Sequence, residues 1–333
     1  MIGGAPVPAV IVGDGADRQP ALAVALSGTG KVAVVGRTTD ASLAPRLGVV
    51  RGAAVVLLLA DEAPTVDLLP RLLEAASLPV VVVAKDPEVG VRALATGAAE
   101  VLPASAPIEK IAESLAIMSQ LRVVRRRGGD RGTGRERELA EAGAPSAERR
   151  IVGIGASTGG PVALVEILRT LPRSFPAPLL LVQHMPKDYT DPFASWLRSS
   201  VSLSVEVAFA GASPQPGTVH VAPAITHLEV TPDGRLMTPP PIGPGPCPSA
   251  DRLFESLARA FGRGAYGVLL SGMGRDGARG LRAMRDAGAG TVVQDGPSSA
   301  VFGMPAAALE LGAADLALPP ARIGERLLEW AEV

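Results

Sequence analysis

Apolar runs alternate with stretches of helical period along almost the whole chain. In the first half the runs are AVIVG (9–13), KVAVVG (31–36), AAVVLLL (53–59), VVVVA (80–84) and AEVLP (99–103). Helical patterns follow them near 17–28, 40–48, 65–76, 86–96 and 107–122. Runs of Val and Leu without polar alternation belong to parallel strands covered on both faces. Five such βα units over residues 1–122 predict a small doubly wound domain.

The same alternation resumes at 150. Strands are expected over 151–155, 179–183, 204–208, 218–222, 226–230, 266–271 and 291–294. Helices are expected over 161–171, 190–199, 249–261, 276–287, 302–311 and 320–331. The expected fold class is therefore α/β, with two doubly wound parallel-sheet domains, the second (150–333) larger and Rossmann-like. Residues 123–149 between them are rich in Gly and Arg and poor in apolar residues, the composition of a flexible linker. The RRR run within it carries no aromatic neighbours and reads as solvated rather than as an RNA contact.

The stretch IVGIGASTGG (151–160), followed by Pro161, reads as strand, tight turn and helix start. Gly155-x-Ser157-x-Gly159 has the spacing of a nucleophile elbow, which would stand Ser157 at the carboxyl end of a strand. Two other readings compete. Gly153 and Gly155 begin a dinucleotide-type glycine loop, but Thr158 occupies its last glycine position and the next strand ends in Gln183-His184 rather than an acid. A purely structural βα turn is the other.

A nucleophilic serine needs a base and an orienting acid. The histidines are His184, His220 and His227. His184 ends the strand that follows the Ser157 helix, and consecutive βα units usually place their strands side by side. His220 lies inside TVHVAP and reads as a core residue; His227, opening HLEV, reads as structural or as part of a site wall. For the acid, Asp276 in SGMGRDGA and Asp295 in VVQDG are both placed just past a strand, and either could instead be a helix cap. The turn Gly272-Met273-Gly274 offers backbone N–H groups for a developing oxyanion.

Composition narrows the classes. Hydrophobic residues make up 47% of the 333 positions, enough for two buried cores. A net charge of -1 argues against a general nucleic-acid or membrane-surface role. A single cysteine, Cys247, excludes an internal disulfide framework and fits a reducing compartment, and no ligand spacing supports a zinc site. There is neither a basic leader nor an apolar run long enough to span a membrane, so a cytoplasmic protein is expected.

The first half resembles a response-regulator receiver domain in length, order and phrasing. That family needs an acidic pair after its first strand, a phosphoacceptor Asp ending its third, Ser or Thr ending its fourth and Lys after its fifth. The matching positions hold Gly13 and Asp14, then Leu59, Ala84 and Ala104, so the resemblance implies a degenerate receiver with no phosphorylation site. Asp61 and Glu62, just past the acceptor position, read as a solvated loop.

Residues 150–320 resemble the catalytic domain of the chemotaxis protein-glutamate methylesterases. The shared stretches are IGASTGGP (154–161), QHMP with a following Thr and PFA (183–194), PGTVHVAP (216–223), LLSGMGRDGA (269–278) and QDGPSSAVFGMP (294–305), in the family's order. The resemblance implies Ser157 as nucleophile, His184 as base, Asp276 as the triad acid and the Met273 amide as oxyanion donor. Thr158, Gly159 and Gly160 complete the elbow. It implies hydrolysis of glutamate γ-methyl esters on a methylated chemoreceptor, with glutamine deamidation as a second activity and no cofactor or metal. A histidine kinase or another signalling protein would engage residues 1–122; neither nucleic acid nor membrane insertion is implied. Arg275 stands where the family usually has Asn, Ala224-Ile225 replaces a Gly-Asp, and Ala306 stands where a basic residue is common. These departures and the eroded first half motivate a rival from another class, a non-catalytic regulatory scaffold that keeps the fold. A nucleotide-binding oxidoreductase is a weaker rival.

Overall fold

The computed structural model describes residues 5–40, 52–76, 78–120 and 150–332. The expected linker 123–149 and residues 41–48 of an expected helix lie outside the described residues. The chain falls into two compact units, one on either side of position 125.

In the first unit the strands are β1 (Val7–Gly13), β2 (Val32–Thr38), β3 (Val55–Ala60), β4 (Val80–Ala84) and β5 (Glu100–Pro103). They form a parallel sheet in the order β2-β1-β3-β4-β5, the doubly wound arrangement the alternation predicts. Every residue of β3 and β4 is buried, as unbroken apolar runs require.

The second unit opens with β6 (Ile151–Ala156) and β7 (Leu179–Gln183), followed by β8 (Ser204–Val207) and β9 (Thr218–Val221). A short hairpin follows, β10 (Glu229–Val230) with β11 (Leu236–Met237), then β12 (Ala265–Leu269), β13 (Gly290–Gln294) and β14 (Leu316–Leu318). Seven of these strands make one parallel sheet in the order β14-β13-β12-β6-β7-β9-β8. The strand expected over 226–230 shrinks to two paired residues: His227 donates its N–H to the Pro239 carbonyl in the same register, but Pro239 has no N–H to return the bond and the ladder ends there. β11 and β14 are too short to show as a periodic run in the sequence.

Strand order reverses at β6, whose neighbours are β7 on one side and β12 on the other. Open α/β sheets place their sites outside the carboxyl ends of the strands at such a switch point. Gly153 and Gly155 lie within β6, not in a ligand loop. A Cβ on Gly153 would come 2.4 Å from Leu257 Cδ1, and one on Gly155 would come 2.8 Å from Ala250 Cβ. The glycines therefore let the helix Ala250–Phe261 lie close on the strand. Its buried positions Ala250, Leu253, Phe254 and Leu257 form the inward stripe of a 3.6-residue period. With both glycines inside the strand and taken up by helix packing, neither belongs to a phosphate-binding loop, which counts against the dinucleotide reading.

Candidate active site

The registers Ala156↔Gln183 and Gly155↔Leu269 bring Ser157, His184 and the turn after β12 to one edge of the sheet. Ser157 leaves β6 with its N–H bound to the Ser271 carbonyl at 3.0 Å. Its own carbonyl accepts from Gly160 N and from Gln183 Nε2, both at 2.9 Å. Gly159 then turns at φ 77°, a conformation that side chains rarely adopt. A Cβ there would lie 2.4 Å from Ala300 Cβ, and one on Gly160 would lie 2.5 Å from Gln183 Oε1. The small residues after the serine are thus required by neighbours on two sides. Pro161 sits in the first turn of the helix Gly160–Leu168, where its missing N–H costs nothing.

The backbone N–H of His184 is held by the Ala156 carbonyl at 3.0 Å, so the histidine leaves β7 alongside the elbow. Its Nε2 lies 2.9 Å from Asp276 Oδ2. With Nε2–H donating to the carboxylate, Nδ1 is the ring atom left to accept a proton. Of the two candidate acids, the structure therefore brings Asp276 to His184. Asp295 turns to Ser298 instead, accepting from its N–H at 3.2 Å and from its hydroxyl.

Asp276 is a cap, but not of the helix it precedes. That helix starts at Ala278 behind Gly277. Asp276 instead caps the helix Ala250–Phe261 from outside it. Its Oδ2 accepts from Ala250 N at 2.7 Å; its Oδ1 accepts from Ser249 Oγ at 2.7 Å and Asp251 N at 3.1 Å. Burial pushes this carboxyl up, but hydrogen bonding and charge from His184, the Ser249 hydroxyl and the Ala250 N–H outweigh it and hold it below the ordinary carboxylate value. A helix N-terminus favours the anion in the same direction.

Met273 sits in the turn after β12, pressed against the elbow. A Cβ on the preceding Gly272 would lie 2.7 Å from Ser157 Cβ, so only glycine allows that approach. Gly272 N donates to the Val301 carbonyl, and Gly272 O accepts from Gly303 and Met304, which pins the turn on both sides. The Met273 N–H makes no hydrogen bond among the described residues. The Ser271 hydroxyl donates to the Thr158 carbonyl at 2.7 Å, tying the turn to the elbow a second time.

His220 is fully buried, with Nε2 accepting from Gln215 N at 3.1 Å and Nδ1 2.9 Å from Glu206 Oε1, the core position expected of it. His227 is also buried and lines a cavity of about 430 Å³ together with Ser249, Arg252, Arg275, Asp276 and Arg279. Those arginines are paired, with Glu229 at 2.6 Å, Glu310 at 3.0 Å and Asp251 at 3.0 Å respectively. Among the described residues no group of three or more His, Cys, Asp or Glu is placed to hold a metal ion, and no helix is long and apolar enough to cross a membrane.

Sequence reasoning passed over Ser249, Ser271 and the amide of Gln183. Ser249 was visible as an N-cap, and its hydroxyl does accept from Arg252 N at 3.4 Å. Its contact with Asp276 joins residues far apart in the chain and leaves no local pattern.

In the first unit the expectation for Asp61 needs correction. Its side chain is only 15% exposed, and it is clamped by Arg18 Nη2 at 2.9 Å and Lys85 Nζ at 3.0 Å. Asp14 Oδ2 accepts from Asp61 N at 3.0 Å and Thr65 Oγ1 at 2.7 Å. Two cations and an adjoining strand end draw Asp61 inward; Glu62 stays exposed. Leu59 and Ala84 are buried in the sheet core.

Comparison with known proteins gives a consistent result. The model of the family described as CheB methylesterase matches residues 152–327. Protein-glutamate methylesterase FrzG of Myxococcus xanthus is 40% identical over 248 residues, 73% of each chain. Protein-glutamate methylesterase/protein-glutamine glutaminase 3 of Myxococcus xanthus (strain DK1622) is 35% identical over 350 residues, covering 97% of this chain and 94% of that one. The crystal structure of the Thermotoga maritima CheB methylesterase catalytic domain superposes with a TM-score of 0.52 at 35% identity, covering 55% of this chain and 98% of that one.

Proposed function

The chain belongs to the CheB methylesterase family, and we propose that it hydrolyses glutamate γ-methyl esters on a chemoreceptor by a Ser157–His184–Asp276 triad. The observation that carries the reading is the His184–Asp276 contact of 2.9 Å, made beside the Ser157 elbow. The catalytic domain is residues 150–333, joined through the segment 123–149 to a domain of residues 1–122.

Ser157 Oγ attacks the γ-carbonyl carbon while its proton passes to His184 Nδ1. The negative charge that develops on the carbonyl oxygen falls to the Met273 N–H, a fixed donor that needs no reorganisation. Asp276 stabilises the imidazolium that forms. When the tetrahedral species collapses, the bond to the methoxy oxygen breaks and His184 gives its proton to that oxygen, releasing methanol. Water then attacks the glutamyl ester of Ser157, giving up a proton to His184, and the second collapse returns glutamate and the free serine. A glutamine side chain follows the same path with ammonia as leaving group.

The first domain acts as a docking or lid module rather than a phosphorylation switch. A phosphoryl group needs a carboxylate at position 59 and gathering groups at 84 and 104, and Leu59, Ala84 and Ala104 supply none. The carboxylates nearby are already engaged, Asp61 with Arg18 and Lys85, Asp14 with Thr65 and a backbone N–H.

The decisive experiment is Ser157→Ala with methanol release from a methylated receptor cytoplasmic domain, alongside labelling by a hydroxyl-reactive phosphonate. A loss on the order of 10⁴-fold or more is expected. Activity within about tenfold of wild type would refute the assignment, and a wild-type protein that neither labels nor turns over would favour the non-catalytic scaffold.

A further inference from the structure

We propose that Ser249 is a positioning residue of the hydrolysis, fixing the Asp276 carboxylate against His184 through its hydroxyl. The inference rests on the triad reading above. Asp276 stands on the turn after β12, whereas the groups that orient its carboxylate come from residues 249–251. Ala250 N holds the oxygen that faces His184, at 2.7 Å. The other oxygen is held by Ser249 Oγ at 2.7 Å and Asp251 N at 3.1 Å. A carboxylate gripped at both oxygens cannot rotate about its terminal bond, and its oxygen stays on the line to Nε2.

Of these donors outside the triad, only Ser249 is a side chain. A hydroxyl has one proton, and the two bonds Ser249 makes use it in one way. The lone pair takes Arg252 N, capping the helix, and the proton is then committed to Asp276. Ser249 is only 6% exposed, which limits competition from water for that proton.

The contact matters most when His184 is charged. The imidazolium exists after Ser157 has given up its proton, not in the substrate complex. Loosening the carboxylate therefore raises the barrier more than it weakens substrate binding, and the loss appears in kcat rather than in KM.

A helix cap alone would explain the residue without any role in turnover, and the variants separate the two. Gly is nearly as good a cap as Ser, whereas Ala is a poor one. If the hydroxyl acts on Asp276, Ser249→Gly and Ser249→Ala both lower kcat by about tenfold, the order expected for losing a hydrogen bond to a charged group. KM for the methylated receptor domain stays within about twofold, since that bond strengthens only in the transition state. In an Asp276→Asn background, Ser249→Gly then causes no further loss. Turnover by Ser249→Gly at the wild-type rate, or an undiminished loss in the Asp276→Asn background, overturns the proposal while the triad stands. Asp276→Asn at the wild-type rate overturns the triad reading, and the proposal with it.

Discussion

Replacing Asp276 by Asn changes one atom and creates a conflict that the hydrogen bonds make explicit. Both carboxylate oxygens face donors, Oδ2 toward His184 Nε2 and Ala250 N, Oδ1 toward Ser249 Oγ and Asp251 N. An amide has one oxygen and one NH₂, so its NH₂ must face one of these pairs. If it replaces Oδ2, His184 can accept only by moving its proton to Nδ1, the atom that should take the proton of Ser157. If it replaces Oδ1, Ser249 can turn to accept, but the Asp251 N–H loses its partner and His184 loses the charge that stabilises its cation. Triads with the acid made neutral in this way lose about 10⁴ in kcat, or about 5.5 kcal/mol at 1.36 kcal/mol per decade. The orphaned N–H should cost about 1–3 kcal/mol of stability, lowering the melting temperature by about 2–12 °C for a unit of this size. Methanol release measured under saturating methylated receptor gives the first quantity and thermal unfolding the second. Asp295→Asn serves as the control and should leave turnover unchanged, since its bonds go to Ser298. A kcat within about tenfold of wild type for Asp276→Asn would refute the assignment, and loss of turnover confined to Asp295→Asn would reverse it.

Gly155→Ala should destabilise the second unit by about 1–3 kcal/mol, because the new Cβ meets Ala250 Cβ at 2.8 Å and Leu269 Cδ1 at 3.0 Å; an unchanged urea midpoint would contradict that packing. Burial holds His220 below the ordinary imidazole value against the pull of Glu206, and burial with the Arg252 charge does the same to His227. The unfolded chain then binds protons that the folded one does not, so stability is full above the ordinary value of about 6.5 and falls as the pH drops below it. His227→Gln should flatten that decline in urea midpoints, and an unchanged slope would count against it. Incubation with acetyl phosphate and Mg²⁺ should give neither labelled protein nor a faster esterase; a stable acyl phosphate on Asp14 or Asp61 with activation would overturn the pseudo-receiver reading.

The elements were legible because the strands carry their own signal. β4 is four valines and an alanine, and β7 was bounded correctly as residues 179–183. The placement of His184 beside Ser157 followed from chain order alone, since adjacent βα units pair. What stayed illegible is the non-local part. Asp276 follows a strand and a glycine turn and Asp295 comes straight after a strand, and apart from the family resemblance nothing in their neighbourhoods says which reaches His184. That choice depends on where the helix Ala250–Phe261 points its N-terminus. Asp61 fails for the same reason, because Arg18 and Lys85 arrive from other βα units to bury it. The glycines of β6 left a competing reading open for a different reason, since a glycine that admits a helix and one that admits a phosphate look alike in one dimension.

The helix Ala250–Phe261 joins packing to chemistry. Its inward stripe is seated on β6 by the absence of side chains at Gly153 and Gly155, and its first N–H groups, at Ala250 and Asp251, are spent on Asp276. The same first turn also reaches the helix Ala278–Asp286, where Asp251 accepts from Gly280 N at 2.8 Å and Arg279 Nε at 3.0 Å. A Cβ on Gly280 would strike Asp251 O at 2.4 Å, so the two helices close on each other through that glycine. The turn carrying Asp276 lies between β12 and this second helix, so both of its ends are fixed by elements that also grip the first. The carboxylate is thus held by the relative position of two helices and a strand rather than by its own loop. A packing defect anywhere along that contact moves the acid relative to His184, and displacements well below the size of an atom are enough to weaken a hydrogen bond of 2.9 Å. Core and site are therefore coupled through rigid elements, and substitutions in the stripe should act on turnover as well as on stability.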